Sequence, residues 1–401
     1  MGDALVQQFA VILSLTITLS SVTLAAEPSA LATQGPKPKA IEPIEPQELE
    51  ASIERGVEFL LARQNENGSW GSHRTKRATE VLAPVPGSHH AFRGAVTSLC
   101  ISAVLETGLS HPETPAAIDR AEAWMFEHLP HVRRATPQVM YNVWAHAYSL
   151  QAIARLIDYR KDDPAKCEQL LDLARQQLKM LETYEVVDGG WAYYDFYHRT
   201  KKPGGSSISF VTAAVLLGMY EIQEKGVEIP KHLVERGMES IRRQRKSDCS
   251  YAYGEYLKMM PMRGINRPGG SLGRSQSCNL AMRIWGDETI TDEILKTWLN
   301  RLYARNVWLD IGRKRPIPHE SWMQVAGYFY YFGHYYAGFG IDQLPKKERP
   351  HFQHHLARIL IDRQEKDGSW WDFPLYDYHQ QYGTAMSLMA LKRCRVAAAE
   401  E

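Results

Sequence analysis

The sequence predicts an all-α protein, an α/α toroid of about six helical hairpins with an inner and an outer helix ring. Three observations carry that expectation. LLARQNENGSW (Leu60 to Trp70) returns as LIDRQEKDGSW (Leu360 to Trp370), with Leu, Arg, Gln, Gly, Ser and Trp matched at one fixed offset, the mark of a repeat architecture. Helically spaced runs alternate with Gly- and Pro-rich loops, and no series of period-two strands interrupts them. Finally, the helices fall into two alternating classes, one of them dense in small and aromatic residues, as in FVTAAVLLGMYE and YGTAMSLMALKR. Small residues let helices approach closely, so this second class should form the inner ring.

The elements follow in order. Residues 1–26 hold no Lys or Arg, and Phe9 to Ala26 runs apolar into small residues. That pattern reads as a signal peptide, or an uncleaved anchor, and predicts export to a periplasmic or extracellular space. Residues 27–47 carry five prolines and no periodic apolar face, so they read as an extended tether. The toroid then spans 48–396. Outer helices are expected near Pro46–Asn65, Thr114–Glu127, Pro164–Thr183, Pro230–Arg245, Ile290–Arg305 and Pro345–Glu365, several of them opened by the proline that a helix N-terminus tolerates. Inner helices are expected near His90–Thr107, Val139–Tyr159, Ser206–Glu224, Ser271–Trp285, Ser321–Phe339 and Tyr378–Arg395.

The repeated corner reads as the end of an amphipathic helix, a polar turn with a glycine, and a buried tryptophan. Hairpin three keeps Asp188, Gly189, Gly190 and Trp191, while hairpin four keeps Gln244 and places Tyr251 near the tryptophan position. Gln64, Trp70, Gln364 and Trp370 are therefore assigned to structure: the Gln satisfies backbone groups and the Trp buries a large ring whose N–H needs an acceptor. Because the first and last copies carry the best corners, the ring should close end on end rather than stop at polar caps.

This helix-Gln-turn-Gly-Trp pattern resembles the repeats of squalene and oxidosqualene cyclases and of protein prenyltransferase β subunits, over nearly the whole mature chain. The resemblance implies a central cavity as the site and an apolar, isoprenoid-like ligand. The family's catalytic signatures do not carry over. No DxDD string is present, and Asp162 and Asp163 lead only into KDDPAK rather than DDxxD. The prenyltransferase zinc set of Asp, Cys and His finds Asp248, Cys249 and His379, but the first two are adjacent and the spacing differs by about one repeat. No metal is assigned, and any cofactor stays unknown. The complement-type GCGEQ thioester is absent.

Other patterns are weaker. GGSLG (Gly269 to Gly273) matches G-x-S-x-G without the preceding strand a nucleophile elbow needs, which makes Ser271 a helix N-cap. His351, His354 and His355 fall on the solvated face of an outer helix. Lys plus Arg (47) balances Asp plus Glu (46), so nothing advertises nucleic acid. No stretch after the signal approaches the roughly 20 apolar residues of a membrane span, and a monomer is expected. Five scattered cysteines suggest few or no disulfides.

Candidate catalytic residues come from the loops that run into the inner helices: Asp195 with His198, Glu320 with His319, and Asp377 with His379, as pairs able to supply an acid and a base. Tyr336 joins them from the aromatic run AGYFYYFGHYYAGFG, whose rings can line a cavity. Three functions stay open: an apolar-ligand protein, a lyase or hydrolase acting on polysaccharide, and a non-catalytic repeat scaffold. The ligand is accordingly a small apolar molecule or a glycan.

Overall fold

The computed structural model describes residues 28–74, 85–195, 200–319 and 323–396. The expected signal sequence, His198 and Glu320 lie outside them. All twelve expected helices are present. The outer ones are α1 (Pro46–Ala62), α3 (Thr114–His128), α5 (Pro164–Tyr184), α7 (Lys231–Gln244), α9 (Asp292–Ala304) and α12 (Arg349–Ile361). The inner ones are α2 (Pro86–Thr107), α4 (Asn142–Tyr159), α6 (Ser209–Gln223), α8 (Pro268–Ile284), α11 (Phe329–Asp342) and α13 (His379–Lys392), and a short α10 (Asn306–Asp310) lies between α9 and α11. No strand occurs among the described residues, only isolated bridges.

Most inner helices start a few residues from the expected positions, and for two of them the cause is visible. Pro268 opens α8, since its fixed φ suits the first helical position. Ser271 is therefore not an N-cap but lies inside the helix, its hydroxyl donating to Pro268 O at 3.2 Å. The glycines around it serve a close crossing: a Cβ on Gly273 would stand 2.6 Å from Phe329 O, and one on Gly333 2.6 Å from Gly273 Cα. The fifth inner helix begins at Phe329, eight residues beyond the expected Ser321, because residues 323–328 belong to a loop at the mouth of the ring.

The ring closes. Inner helices pack in sequence, α2 on α4, α4 on α6, α6 on α8, α8 on α11, α11 on α13, and α13 back on α2. The corners close it on the outside by the same device. Gln64 Nε2 donates to Ala117 O of α3 at 2.8 Å, and Gln364 Nε2 donates to Ser52 O of α1 at 2.9 Å. The sixth hairpin thus holds the first as the first holds the second. Gly68 and Gly368 sit at φ 87° and 85°, and a Cβ there would stand 2.2 and 2.4 Å from the carbonyls of Arg120 and Arg55. Only glycine meets both demands.

Within each corner one set of bonds recurs. Trp70, Trp191 and Trp370 donate their Nε1–H to Leu60, Leu181 and Leu360 carbonyls at 2.7–2.8 Å. Their backbone N–H groups donate to Thr97, Thr212 and Thr384 on the inner helices. In hairpin four the same turn, closed by Lys246 N–H to Ser250 O at 2.8 Å, carries Tyr251, whose hydroxyl donates to Asn279. Cys249 takes the glycine position at φ 57°.

Residues 28–45 run extended apart from one 3-10 turn at Ala30–Thr33, and they are not loose. Ser29 N–H donates to Ser247 O at 2.7 Å, Arg301 donates to the carbonyls of Leu31 and Gln34, and Ile44 N–H donates to His354 Nδ1 at 3.0 Å. The segment straps hairpins four, five and six from outside. His354 is thereby engaged rather than solvated, and His355 is buried against Tyr303.

A candidate apolar cavity with one polar wall

Inside the inner ring lies a cavity of about 1000 Å³. The N-terminal halves of the inner helices supply its walls: Phe92, Val96 and Leu99 from α2, Trp144 and Tyr148 from α4, Phe210 from α6, Phe329 and Phe332 from α11, Tyr382 and Met386 from α13. Corner loops add Tyr193, Tyr194, Tyr253, Phe373 and Leu375, and the mouth is rimmed by Tyr256, Leu257, Arg263, Ile265 and Pro316–His319. No Asp or Glu lines it among the described residues. Beside the mouth, Met259 and Met262 are 85% and 71% exposed.

The opposite end is shut by ions. Arg155 on α4 pairs with Glu106 of α2 at 2.8 Å and with Glu221 of α6, while Arg393 of α13 pairs with Glu106 and with Asp342 of α11 at 3.0 Å. Burial alone would raise the Glu106 carboxyl, but Arg393 and Arg155 outweigh it and hold that pKa below its ordinary value.

One cavity wall is polar. The Tyr193 hydroxyl meets that of Tyr253, which lies 3.3 Å from the Tyr328 hydroxyl, and Tyr328 in turn lies 3.0 Å from His319 Nε2. His319 Nδ1 is 2.8 Å from Gln324 O. Burial lowers the His319 pKa, helped by nearby Arg274, so the ring is neutral near pH 7. Burial lifts Tyr193, Tyr253 and Tyr328 well above the usual phenol range, so these are hydroxyls and not phenolates. His319 and Gln324 hold φ of 62° and 50°, strained values that the surrounding packing must enforce.

Behind this wall sits Arg274, with no exposed surface. It donates to the carbonyls of Tyr251, Gly270 and Ile265 and lies 5.8 and 5.9 Å from the centres of the Tyr253 and Phe329 rings. Carbonyl dipoles and ring faces thus surround this buried cation in place of a carboxylate among the described residues.

The structure scatters the residues expected from sequence. Asp195 is buried and accepts from Arg134 at 3.0 Å and from Gly204 N–H, fastening the loop after corner three. Asp377 accepts from Ser72 at 3.1 Å across the seam between the last and first hairpins. His379 opens α13 with Nδ1 2.6 Å from Tyr376 O and its ring edge-on to Trp371. Tyr336 is buried between Phe332 and Tyr335 on α11. None of these four lines the cavity. Cys249 serves the fourth corner, its thiol raised to about 11 by burial. Among the described residues no group of three His, Cys, Asp or Glu side chains is placed to hold a metal ion.

Of the groups at this wall, Tyr193, Tyr253 and the Arg274 behind them are not singled out from sequence, while Tyr328 falls in the aromatic run expected to line a cavity. A signal existed for two of them: Tyr193 and Tyr253 each stand two residues after a corner aromatic, Trp191 and Tyr251. The extended backbone leaving a corner turns every second side chain the same way.

With this geometry in hand, comparison with known proteins adds the following. No protein-family model matches the chain. A stretch of 99 residues, 25% of the chain, is 28% identical to alpha-2-macroglobulin of Thermotoga maritima, of which it spans only 6%. The type II terpene cyclase MstE from Scytonema superposes with a TM-score of 0.50 at 15% identity, covering 87% of this chain and 98% of that one. An alpha-1,6-mannanase, GH76A, of Salegentibacter gives 0.49 at 12% identity over 87% and 98%. Likeness to the terpene cyclase at 15% identity concerns the backbone, and its conclusion is that the chain has an α/α toroid fold.

Proposed function

We propose that this toroid binds an apolar, isoprenoid-like molecule in its central cavity, in a protein exported by its apolar leader. The observation that carries this reading is the cavity itself: about 1000 Å³, walled by aromatic and aliphatic side chains, with no acidic group among its described lining residues. Pockets of this kind take ligands whose apolar surface they can bury. A glycan would leave its many hydroxyls unpaired against such walls, at a cost of about 1–3 kcal/mol for each buried one. The polysaccharide reading therefore gains no support from the site, and a filled scaffold is disfavoured by the open volume.

Native mass spectrometry of protein purified from its own host, with titration of an apolar fluorescent probe, tests this. The probe is expected to bind and to be displaced by acyclic isoprenoids but not by oligosaccharides. Phe332→Asn should weaken it about tenfold, in line with ~1.5–3 kcal/mol for burying a large apolar side chain. Probe affinity unchanged in that variant would place the ligand elsewhere.

A further inference from the structure

We propose that the chain of side chains Tyr193–Tyr253–Tyr328–His319 is a one-way acceptor pole that selects an apolar ligand bearing a hydroxyl over one bearing a carbonyl. The proposal rests on the apolar-cavity reading above and deepens it by naming the ligand's polar group.

The direction follows from counting hydrogens. Gln324 O is a carbonyl and can only accept, so the His319 proton is on Nδ1. A neutral imidazole has one N–H, which leaves Nε2 as an acceptor, and the Tyr328 hydroxyl must donate to it. That uses the single Tyr328 hydrogen. The bond at 3.3 Å between Tyr253 and Tyr328 is then made with the Tyr253 hydrogen, and the bond between Tyr193 and Tyr253 with the Tyr193 hydrogen. Every hydroxyl hydrogen in the chain points toward His319. What the three oxygens have left is lone pairs. Arg274 stands behind the wall and does not line the cavity, and three of its five N–H groups donate to backbone carbonyls.

All four members line the cavity, and the other rings packed against Tyr253 and Tyr328 are those of Phe210, Phe329 and Phe373, which carry no hydrogen-bond donor. A ligand hydroxyl meeting this wall gives its hydrogen to an unused lone pair and leaves no donor buried without a partner. A ligand carbonyl placed at the Tyr253 and Tyr328 hydroxyls meets only other oxygens there. Removing one net hydrogen bond of about 1 kcal/mol corresponds to roughly fivefold in affinity. The expected ligand class is therefore a long-chain or polycyclic isoprenoid alcohol.

Three probes of equal carbon skeleton test the idea: a C15 acyclic isoprenoid alcohol, its aldehyde, and its saturated hydrocarbon, each titrated against the whole protein by displacement of the fluorescent probe. The wild type is expected to bind the alcohol about fivefold more tightly than the aldehyde. Tyr328→Phe removes the link to His319 and frees one hydrogen of the Tyr193–Tyr253 pair to turn into the cavity. Its alcohol-to-aldehyde ratio should fall to about one or below, through a gain for the aldehyde, while hydrocarbon affinity stays unchanged. Tyr193→Phe, which removes one of the three acceptor oxygens and frees no hydrogen, should lower alcohol affinity without that gain, and it keeps the test alive if Tyr328→Phe fails to fold. Equal binding of alcohol and aldehyde by the wild type, or a preference that survives in both variants, overturns the pole and leaves the apolar cavity standing. Failure of all three probes to bind overturns the cavity reading along with it.

Discussion

At the C-terminal ends of the inner helices, Arg155 and Arg393 are held by Glu106, Glu221 and Asp342. At the N-terminal ends the same helices present Phe92, Trp144, Phe210 and Phe332 to an open cavity, with neutral hydroxyls on one wall. Both ends bury polar atoms, but in different ways. The shut end joins full charges from five helices, so losing one member leaves another charge stranded. The open end uses groups that stay uncharged, which lets it border an apolar ligand without a compensating ion. Charge closes one end of the axis, and neutrality is kept at the end that is open.

The largest expected effect breaks the shut end. Arg155→Met should destabilise by about 3–5 kcal/mol, since it takes the partner from half-buried Glu221 and leaves buried Glu106 to Arg393 alone. Urea unfolding measures it, and a loss under about 1 kcal/mol would show the network to be screened by solvent. Trp70→Ala, at a corner on the mouth side, should cost a comparable ~3–5 kcal/mol through the void it leaves. Here a small loss would mean that the ring is not the plug its bond to Leu60 implies.

A smaller effect separates charge from neutrality directly. His146 and His334, both wholly buried on inner helices, have pKa values lowered by burial to about 4, against an ordinary 6.5. A histidine depressed in the folded state supports folding fully above its unfolded pKa, and that support is lost as pH falls toward 4. Each should remove roughly 2–3 kcal/mol by pH 4.5. Asp372 works the other way. Burial raises its carboxyl to about 6, so its burden on the fold is present at pH 7 and disappears as acid protonates it, returning about 2 kcal/mol. Urea midpoints at pH 7 and pH 4.5 should therefore differ by about 3 kcal/mol in favour of pH 7, and the gap should shrink in the His146→Gln, His334→Gln double variant. A gap of unchanged size there would assign the acid sensitivity to other groups.

How much of this could be read from the chain alone depends on whether the governing contact is local. The corner is local: Gln64, Gly68 and Trp70 lie within seven positions, and the bond from Trp70 reaches back only to Leu60. So the helices, their two classes and the closed ring were legible. The site is not local. Asp195 looks like an acid until Arg134, 61 residues earlier, is found beside it. Tyr328 acquires its role from Tyr253, 75 residues away. Asp377 and His379 face the seam and the α13 entrance because the corner register points Asp372, two residues after Trp370, inward instead. His319 was noticed, but as the partner of Glu320, while its bonds run to Tyr328 and to Gln324.

The seam at Gln364 and Ser52 has a kinetic meaning. Those two residues are 312 positions apart, so the neighbour that covers one side of α1 is among the last parts of the chain to be made. Loop closure over that distance carries a large entropic barrier and slows the final step of folding. Until the sixth hairpin arrives, the first waits with an uncovered flank, and that interval is when this protein is most exposed to aggregation.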